Sequence, residues 1–206
     1  MAKETTLDRI VLIRAHFNKK AASWDETSSE RDTAKLERMA KCLDIKPGST
    51  VLDVGTGTGV FIHFLLSQLG ERGRIIALDF AEKMLKRARA KGFNGNIDYL
   101  CADVTNIPLG NEIFDIVVCY SSFSHFQDKL GALAEMNRVI KRGGRLLICH
   151  TSSRARINEI HRQIPVVGND IIPDEGEMQM ILLKAGFTAI RIDDSESYLA
   201  SARKPR

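Results

Sequence analysis

From residue 50 onward, short apolar runs alternate with stretches whose apolar residues recur every three or four positions. The runs at 50–54, 74–78, 97–101, 114–119, 145–150, 187–192 and 197–203 predict strands. The periodic stretches at 58–70, 81–91, 127–141 and 174–185 predict helices. Strands joined by helical crossovers predict a parallel sheet with both faces covered. The last two strands are linked only by Asp193-Asp194-Ser195-Glu196, too short for a crossover, so they predict an antiparallel hairpin. Ahead of the first strand, Leu36, Met39, Ala40 and Leu43 predict a helix over 32–44, closed by the Lys46-Pro47-Gly48 turn. Residues 1–30 read as a separate, mildly amphipathic arm, with Leu7, Ile10, Val11 and Phe17 at helical spacing. Residues 31–206 then form the main domain, with an insert at 151–173 that contains a helix-like 157–164.

The first strand runs into Asp53-Val54-Gly55-Thr56-Gly57-Thr58-Gly59 and then into an apolar helical pattern. Glycines in such a turn let the backbone approach a ligand, because no Cβ intervenes. The spacing is G-x-G-x-G; Val60 stands where dinucleotide dehydrogenases place their third glycine, which disfavours a nicotinamide cofactor. The second strand also ends in an acid, Asp79, 24 positions past Gly55. A carboxylate there suits the two hydroxyls of a ribose, and capping of the following helix is an alternative or additional role. The third strand ends in Cys101-Ala102-Asp103-Val104, where Asp103 either meets a ligand or closes its own turn. Asn111 to Cys119 and Arg138 to Ile148 complete the pattern, with Gly143-Gly144 expected as a helix C-cap and turn.

In this order and spacing the four motifs resemble those of the class I S-adenosylmethionine (SAM) methyltransferases, over about residues 32–203. The resemblance implies a Rossmann-like α/β fold: a seven-stranded, mostly parallel sheet, helices on both faces, and a C-terminal antiparallel hairpin. It also implies SAM as cofactor. Asp53, Gly55, Thr56 and Gly57 would form the glycine-loop part of the site. Asp79 would hold the ribose, Phe80 and Met84 would flank the adenine, and Asp103 with the Val104 N–H would read the adenine edge. Tyr120 would join them at the strand ends, where open parallel sheets bind ligands. Phe80 and Met84 could equally be plain core residues.

Methyl transfer from a sulfonium asks the protein mainly to align the acceptor and exclude water; a base is needed only if the acceptor loses a proton. The loops after the fourth and fifth strands carry the base candidates, His125 and His150. His16 and His63 read as non-catalytic. His125, His150 and His161 lack local ligand spacing, so no metal is expected. No Asn-Pro-Pro-Tyr or Asp-Pro-Pro-Tyr is present, which lowers the reading of an exocyclic-amine methylase. Residues 17–25, with Phe17, Trp24 and Asp25, resemble the entry segment of quinone-type small-molecule methyltransferases, where it covers cofactor and acceptor. Packing of the arm on the body is the alternative. Arg154, Arg156, His161 and Arg162 make the insert locally basic, either as a lid for an anionic acceptor or as a solvated helix face.

Composition adds limits. The 206 residues carry 30 basic and 26 acidic side chains, a net charge of +4. That mixed surface, without interleaved aromatic and basic residues, disfavours nucleic acid as a partner. The four cysteines form no C-x-x-C, so neither a zinc site nor a disulfide framework is indicated. No run is long enough for a membrane span and no signal-peptide pattern opens the chain, so a cytoplasmic protein is expected. A SAM-dependent enzyme acting on a small molecule is the leading expectation. A non-catalytic module of the same fold, partnering a protein or RNA through the basic Arg203-Lys204-Pro205-Arg206 tail, is its rival. Oligomeric state is left open.

Overall fold

In a computed structural model that describes residues 6–27 and 32–206, the apolar runs at the chain's middle lie side by side. The element order is α1 (Thr6–Lys20), α2 (Trp24–Thr27), α3 (Thr33–Cys42), β1 (Thr50–Val54), α4 (Ile62–Leu69), β2 (Arg74–Asp79), α5 (Glu82–Ala90), β3 (Ile97–Cys101), β4 (Phe114–Tyr120), α6 (Lys129–Val139), β5 (Ile140–His150), α7 (Arg154–Arg162), α8 (Glu175–Lys184), β6 (Thr188–Asp194) and β7 (Tyr198–Arg203). The seven strands form one sheet in the order β3-β2-β1-β4-β5-β7-β6. β1 to β5 pair in parallel; β7 pairs antiparallel with both β5 and β6. The expected fold class, hairpin included, is the observed one.

Alternation along each strand divides the core. Leu52, Ile76, Val117 and Leu146 pack on one face with Leu133 and Met136 of α6 and Leu182 of α8. Val51, Ile75, Val118 and Leu147 pack on the other with Leu36 of α3 and Leu65 of α4. Each such fully buried aliphatic side chain contributes about 1.5–3 kcal/mol. The centre of the sheet is therefore rigid, and its carboxyl ends make a fixed rim. Among the described residues no helix is long and apolar enough to cross a membrane.

Two expectations near the sheet need correction. The helix after the glycine loop starts at Ile62, not 58, because Gly55, Gly57 and Gly59 all adopt positive φ and the chain turns until Phe61. Gly143-Gly144 does not cap a helix. α6 ends at Val139, and β5 already runs through both glycines. The Gly143 N–H donates to the Lys204 carbonyl (3.0 Å), and the Lys204 N–H to the Gly144 carbonyl (3.0 Å). A Cβ on Gly144 would lie 2.8 Å from the Asp115 carbonyl oxygen, so close backbone approach explains that glycine.

Candidate active site

The glycine loop turns directly above the end of β1. Gly55 has φ +70°, and a Cβ there would lie 2.3 Å from the Ser122 Cβ. Ser122 lies this close because its Oγ donates to the Val54 carbonyl (2.7 Å), tying the loop after β4 to β1. A Cβ on Gly57, by contrast, would meet nothing within 4 Å. That side of the loop opens into a cavity of about 450 Å³, within the ordinary range for small-ligand sites.

Asp79 ends β2 at the cavity wall. Its Oδ2 accepts the Gly57 N–H and its Oδ1 the Ala81 N–H, both at 2.8 Å. The carboxylate thus braces the glycine loop against the start of α5. Capping falls to neighbouring Ala81 rather than to Asp79. Burial pushes the Asp79 carboxyl up to about 6, against the pull of its backbone donors. The Phe80 N–H is a third backbone donor to this carboxylate.

At the end of β3, Asp103 Oδ1 accepts both the N–H (2.8 Å) and the Oγ1 (2.7 Å) of Thr105. This is the turn-closing role, and it engages only Oδ1 of a residue that also lines the cavity. Val104 is buried and also lines the cavity. Phe80 and Met84 line it as well, and Met84 packs with Ala21 and Ala81 against Phe17 and Trp24. The core and cavity-wall readings of Met84 are therefore both observed. Tyr120 lines the cavity too, its ring stacked on Phe61 at 4.4 Å.

Asp53 does not reach the cavity wall. It is 2% exposed and sits beneath the loop, where Oδ2 accepts the Thr56 hydroxyl (2.5 Å). Burial, with the charge of Asp79 adding, pushes its carboxyl up to about 7 despite that bond. Its role in this geometry is to hold the loop's shape. His150 also departs from expectation. It is the last residue of β5 and shares the face of Leu146 and Ile148, because side chains alternate along a strand. It lies 1% exposed beside Tyr198, ring centroids 6.3 Å apart, and does not line the cavity.

The far end of the cavity is built by α1, the loop after β4 and residues 157–167, while Trp24 of α2 packs on the Met84 cluster. His125 closes a short 3-10 turn, Phe123–His125, and its Nδ1 lies 3.0 Å from Asp170 Oδ2. Its ring meets Phe17 (5.0 Å) and His161 (4.8 Å), the last on α7. His16, read from sequence as non-catalytic, lines the same space; His63 does not. Of the insert's basic residues only His161 lines the cavity. Arg154 pairs with Asp194 (3.4 Å) and Arg162 with Glu159 (3.5 Å). The outward, solvated reading of those arginines is thus the observed one.

Helix α1 is fastened on both sides. Arg14 meets Glu82 (2.8 Å) and Asn18 accepts the Lys83 N–H (3.0 Å) at α5, while Arg9 meets Asp170 (3.2 Å) at the insert. Asp25 then accepts the hydroxyl of Thr58 (2.5 Å) in the glycine loop and pairs with Lys91 (3.0 Å). Residues 1–5 and 28–30 of the expected arm, and residue 31 after it, lie outside the described residues. Sequence reasoning missed Asp170, which no local pattern marked. Thr58 stood inside the glycine motif and Ser122 inside the 120–126 loop that carries His125, though neither was given its observed role.

These groups fit an adenosyl ligand. Two acids, Asp79 and Asp103, line the cavity together with apolar side chains, and the glycine loop gives backbone access beside them. The family described as "Methyltransferase domain" matches residues 52–148. The ubiquinone/menaquinone biosynthesis C-methyltransferase UbiE of Klebsiella pneumoniae subsp. pneumoniae is 30% identical over 187 residues, which is 86% of this chain and 72% of that protein. The chain belongs to the class I SAM-dependent methyltransferases. Among solved structures, a SAM-dependent methyltransferase from Aquifex aeolicus superposes on this methyltransferase with a TM-score of 0.72 and 28% identity, over 90% of this chain and 96% of that one. A phosphoethanolamine N-methyltransferase of Haemonchus contortus, solved with phosphomonomethylethanolamine and S-adenosylhomocysteine, shares the fold at TM-score 0.71 and 17% identity, over 100% of this chain and 61% of that one. The protein is an enzyme of this family, and SAM is its cofactor.

Proposed function

We propose that this methyltransferase acts on a small, largely apolar acceptor held under α1 and the 151–173 insert. One observation carries the reading: a single cavity is lined both by Gly55 and Asp79 and by His125 and Ile164, so cofactor and acceptor would share one space. Its far end is walled by Ile10, Ile13, Phe17, Ile157, Ile160 and Val167, which suits an apolar ring or chain. The name of the Klebsiella relative makes a quinone-type ring one candidate acceptor. The arm, residues 1–30 in the sequence reading, supplies the cover, since its α1 and α2 contribute Ile10, Ile13, His16, Phe17, Lys20 and Trp24 to the wall.

Bound SAM supplies a methyl group on a sulfonium, already activated for transfer. Asp79 would accept the ribose hydroxyls, Gly55 to Gly57 would let the backbone approach, and Phe80, Met84, Asp103 and the Val104 N–H would take the adenine. Ligand bonds to an ionised carboxylate are worth about 1.5–3 kcal/mol each, so Asp79 is the dominant polar anchor. Phe17 and Trp24 exclude water above the slot, and His125 takes a proton where the acceptor must lose one.

The test is turnover of SAM to S-adenosylhomocysteine with a panel of phenols, quinols, amines and thiols. Transfer to an apolar ring substrate is expected. Transfer only to a protein or RNA would overturn the small-molecule reading.

A further inference from the structure

Asp170 lies in the connection between α7 and α8 and is 2% exposed. Burying a carboxylate is expensive unless it is paired and hydrogen-bonded. Its partners come from elsewhere in the chain. Oδ1 accepts from Arg9 Nη2 (3.2 Å) on α1 and from Gln127 Nε2 (3.2 Å). Oδ2 faces His125 Nδ1 (3.0 Å), and the backbone carbonyl faces His161 Nδ1 (2.5 Å). Burial pushes the Asp170 carboxyl up, but the bond and charge of His125, with the bonds from Gln127 and Arg9, hold it below its ordinary value.

An ionised carboxylate can only accept, so His125 Nδ1 carries the hydrogen and Nε2 keeps the lone pair. The Asp170 carbonyl fixes His161 as the same tautomer. The rings are 4.8 Å apart and both line the cavity. Of the two rings, His125 is the one hydrogen-bonded to the Asp170 carboxylate itself, while His161 meets the backbone carbonyl. A proton arriving at Nε2 of His125 makes an imidazolium facing Asp170, the arrangement that serves general bases in other folds. For His161, burial and the charge of His125 outweigh the Asp170 carbonyl bond and carboxylate charge, and its imidazole is pushed down.

We infer that Asp170 is a positioning residue that presents Nε2 of His125 as a general base to an acceptor hydroxyl at the apolar end of the cavity. This rests on the small-molecule methyl-transfer reading above. The step is a proton transfer: the acceptor O–H bond breaks, an N–H bond forms at Nε2, and the electron pair stays on oxygen. That oxygen, or a ring carbon conjugated to it, becomes the methyl-accepting nucleophile. The acceptor class is therefore an apolar molecule with a weakly acidic hydroxyl, such as a phenol or enol. Arg9 makes the same contact depend on α1, so His125 is oriented when the arm is seated.

The partners of Asp170 also dictate what an amide would do. In Asp170→Asn, Arg9 and Gln127 both donate toward the Oδ1 position and so select the amide oxygen there. The amide NH₂ then faces His125 Nδ1, which must become an acceptor, and the hydrogen moves to Nε2.

The test is ¹⁵N NMR of histidine-labelled full chain at a pH where imidazoles are neutral, with S-adenosylhomocysteine titrated into the same samples. The wild type is expected to show His125 as the Nδ1–H tautomer, and Asp170→Asn as Nε2–H, with S-adenosylhomocysteine binding retained in both. A wild-type His125 in the Nε2–H form, or no tautomer change in a folded Asp170→Asn, overturns the inference. If Asp170→Asn does not fold, the wild-type tautomer alone decides. Failure of the wild type to bind S-adenosylhomocysteine would instead count against the cofactor site and leave the tautomer result standing.

Discussion

At one end of the cavity, Asp79 reaches Gly57 across 22 positions of sequence, and both sit on the carboxyl rim of a buried parallel sheet. At the other end, Arg9, Gln127 and His125 converge on Asp170 across 161, 43 and 45 positions, from helices and loops. The first end is fixed by backbone hydrogen bonds on a rigid scaffold. The second is held by side chains that meet only when α1 and the insert are in place. A common cofactor needs the first kind of site, and an acceptor that must enter and leave needs the second.

Removing the anchor of the rigid end should have the largest effect. Asp79→Ala deletes the proposed acceptor for two ligand hydroxyls and the brace on Gly57, so S-adenosylhomocysteine affinity should fall by about 10²–10⁴-fold, from about 1.5–3 kcal/mol per bond. Calorimetry reads this, and undiminished binding would break the assignment. His125→Gln should lower kcat by about 10²–10⁴-fold on a hydroxyl acceptor, with S-adenosylhomocysteine affinity close to wild type. A parallel loss of cofactor affinity would erase the division between the two ends.

Two glycines sharpen the contrast within the rigid end. Gly55→Ala puts a Cβ into Ser122 at positive φ, so denaturant unfolding should show a loss of about 1–3 kcal/mol or more. Gly57→Ala meets open space on the cavity side, so its stability loss should be smaller and its main effect should be on ligand affinity.

How much of this was legible in sequence follows the same division. β1, β2 and β4 are nearly unbroken apolar runs, and acids at strand ends marked Asp79 and Asp103. Both are set by local patterns that survive translation into three dimensions. Asp170 was not legible, because its neighbours in sequence, Asn169 and Ile171, say nothing of the histidine and arginine it meets. His150 was misplaced for a different reason. The strand carries on through it, and one residue of alternation sends its ring toward Tyr198 instead of the cavity. Asp53 was assigned to the ligand because it belongs to the motif, yet its contact is with Thr56 beneath the loop.

The smallest expected effect concerns that buried acid. The Asp53 carboxyl is raised to about 7 in the folded chain, above its ordinary 3.8. The folded state thus binds a proton that the unfolded state releases. Its contribution to stability is complete below its unfolded value and is lost as pH rises through about 7. Asp53→Asn keeps an acceptor for Thr56 without the charge. The melting temperature of wild type relative to Asp53→Asn should therefore decline by a few degrees between about pH 5 and about pH 8. A difference that stays flat or grows would contradict this.

The division of the cavity is tested most directly by hydrogen exchange with and without S-adenosylhomocysteine. Slowed exchange is expected at residues 54–58, 79–84 and 102–105, with the 151–173 insert exchanging as in the free protein. Protection centred on 151–173, with 54–58 unchanged, would place the cofactor at the wrong end and contradict the account.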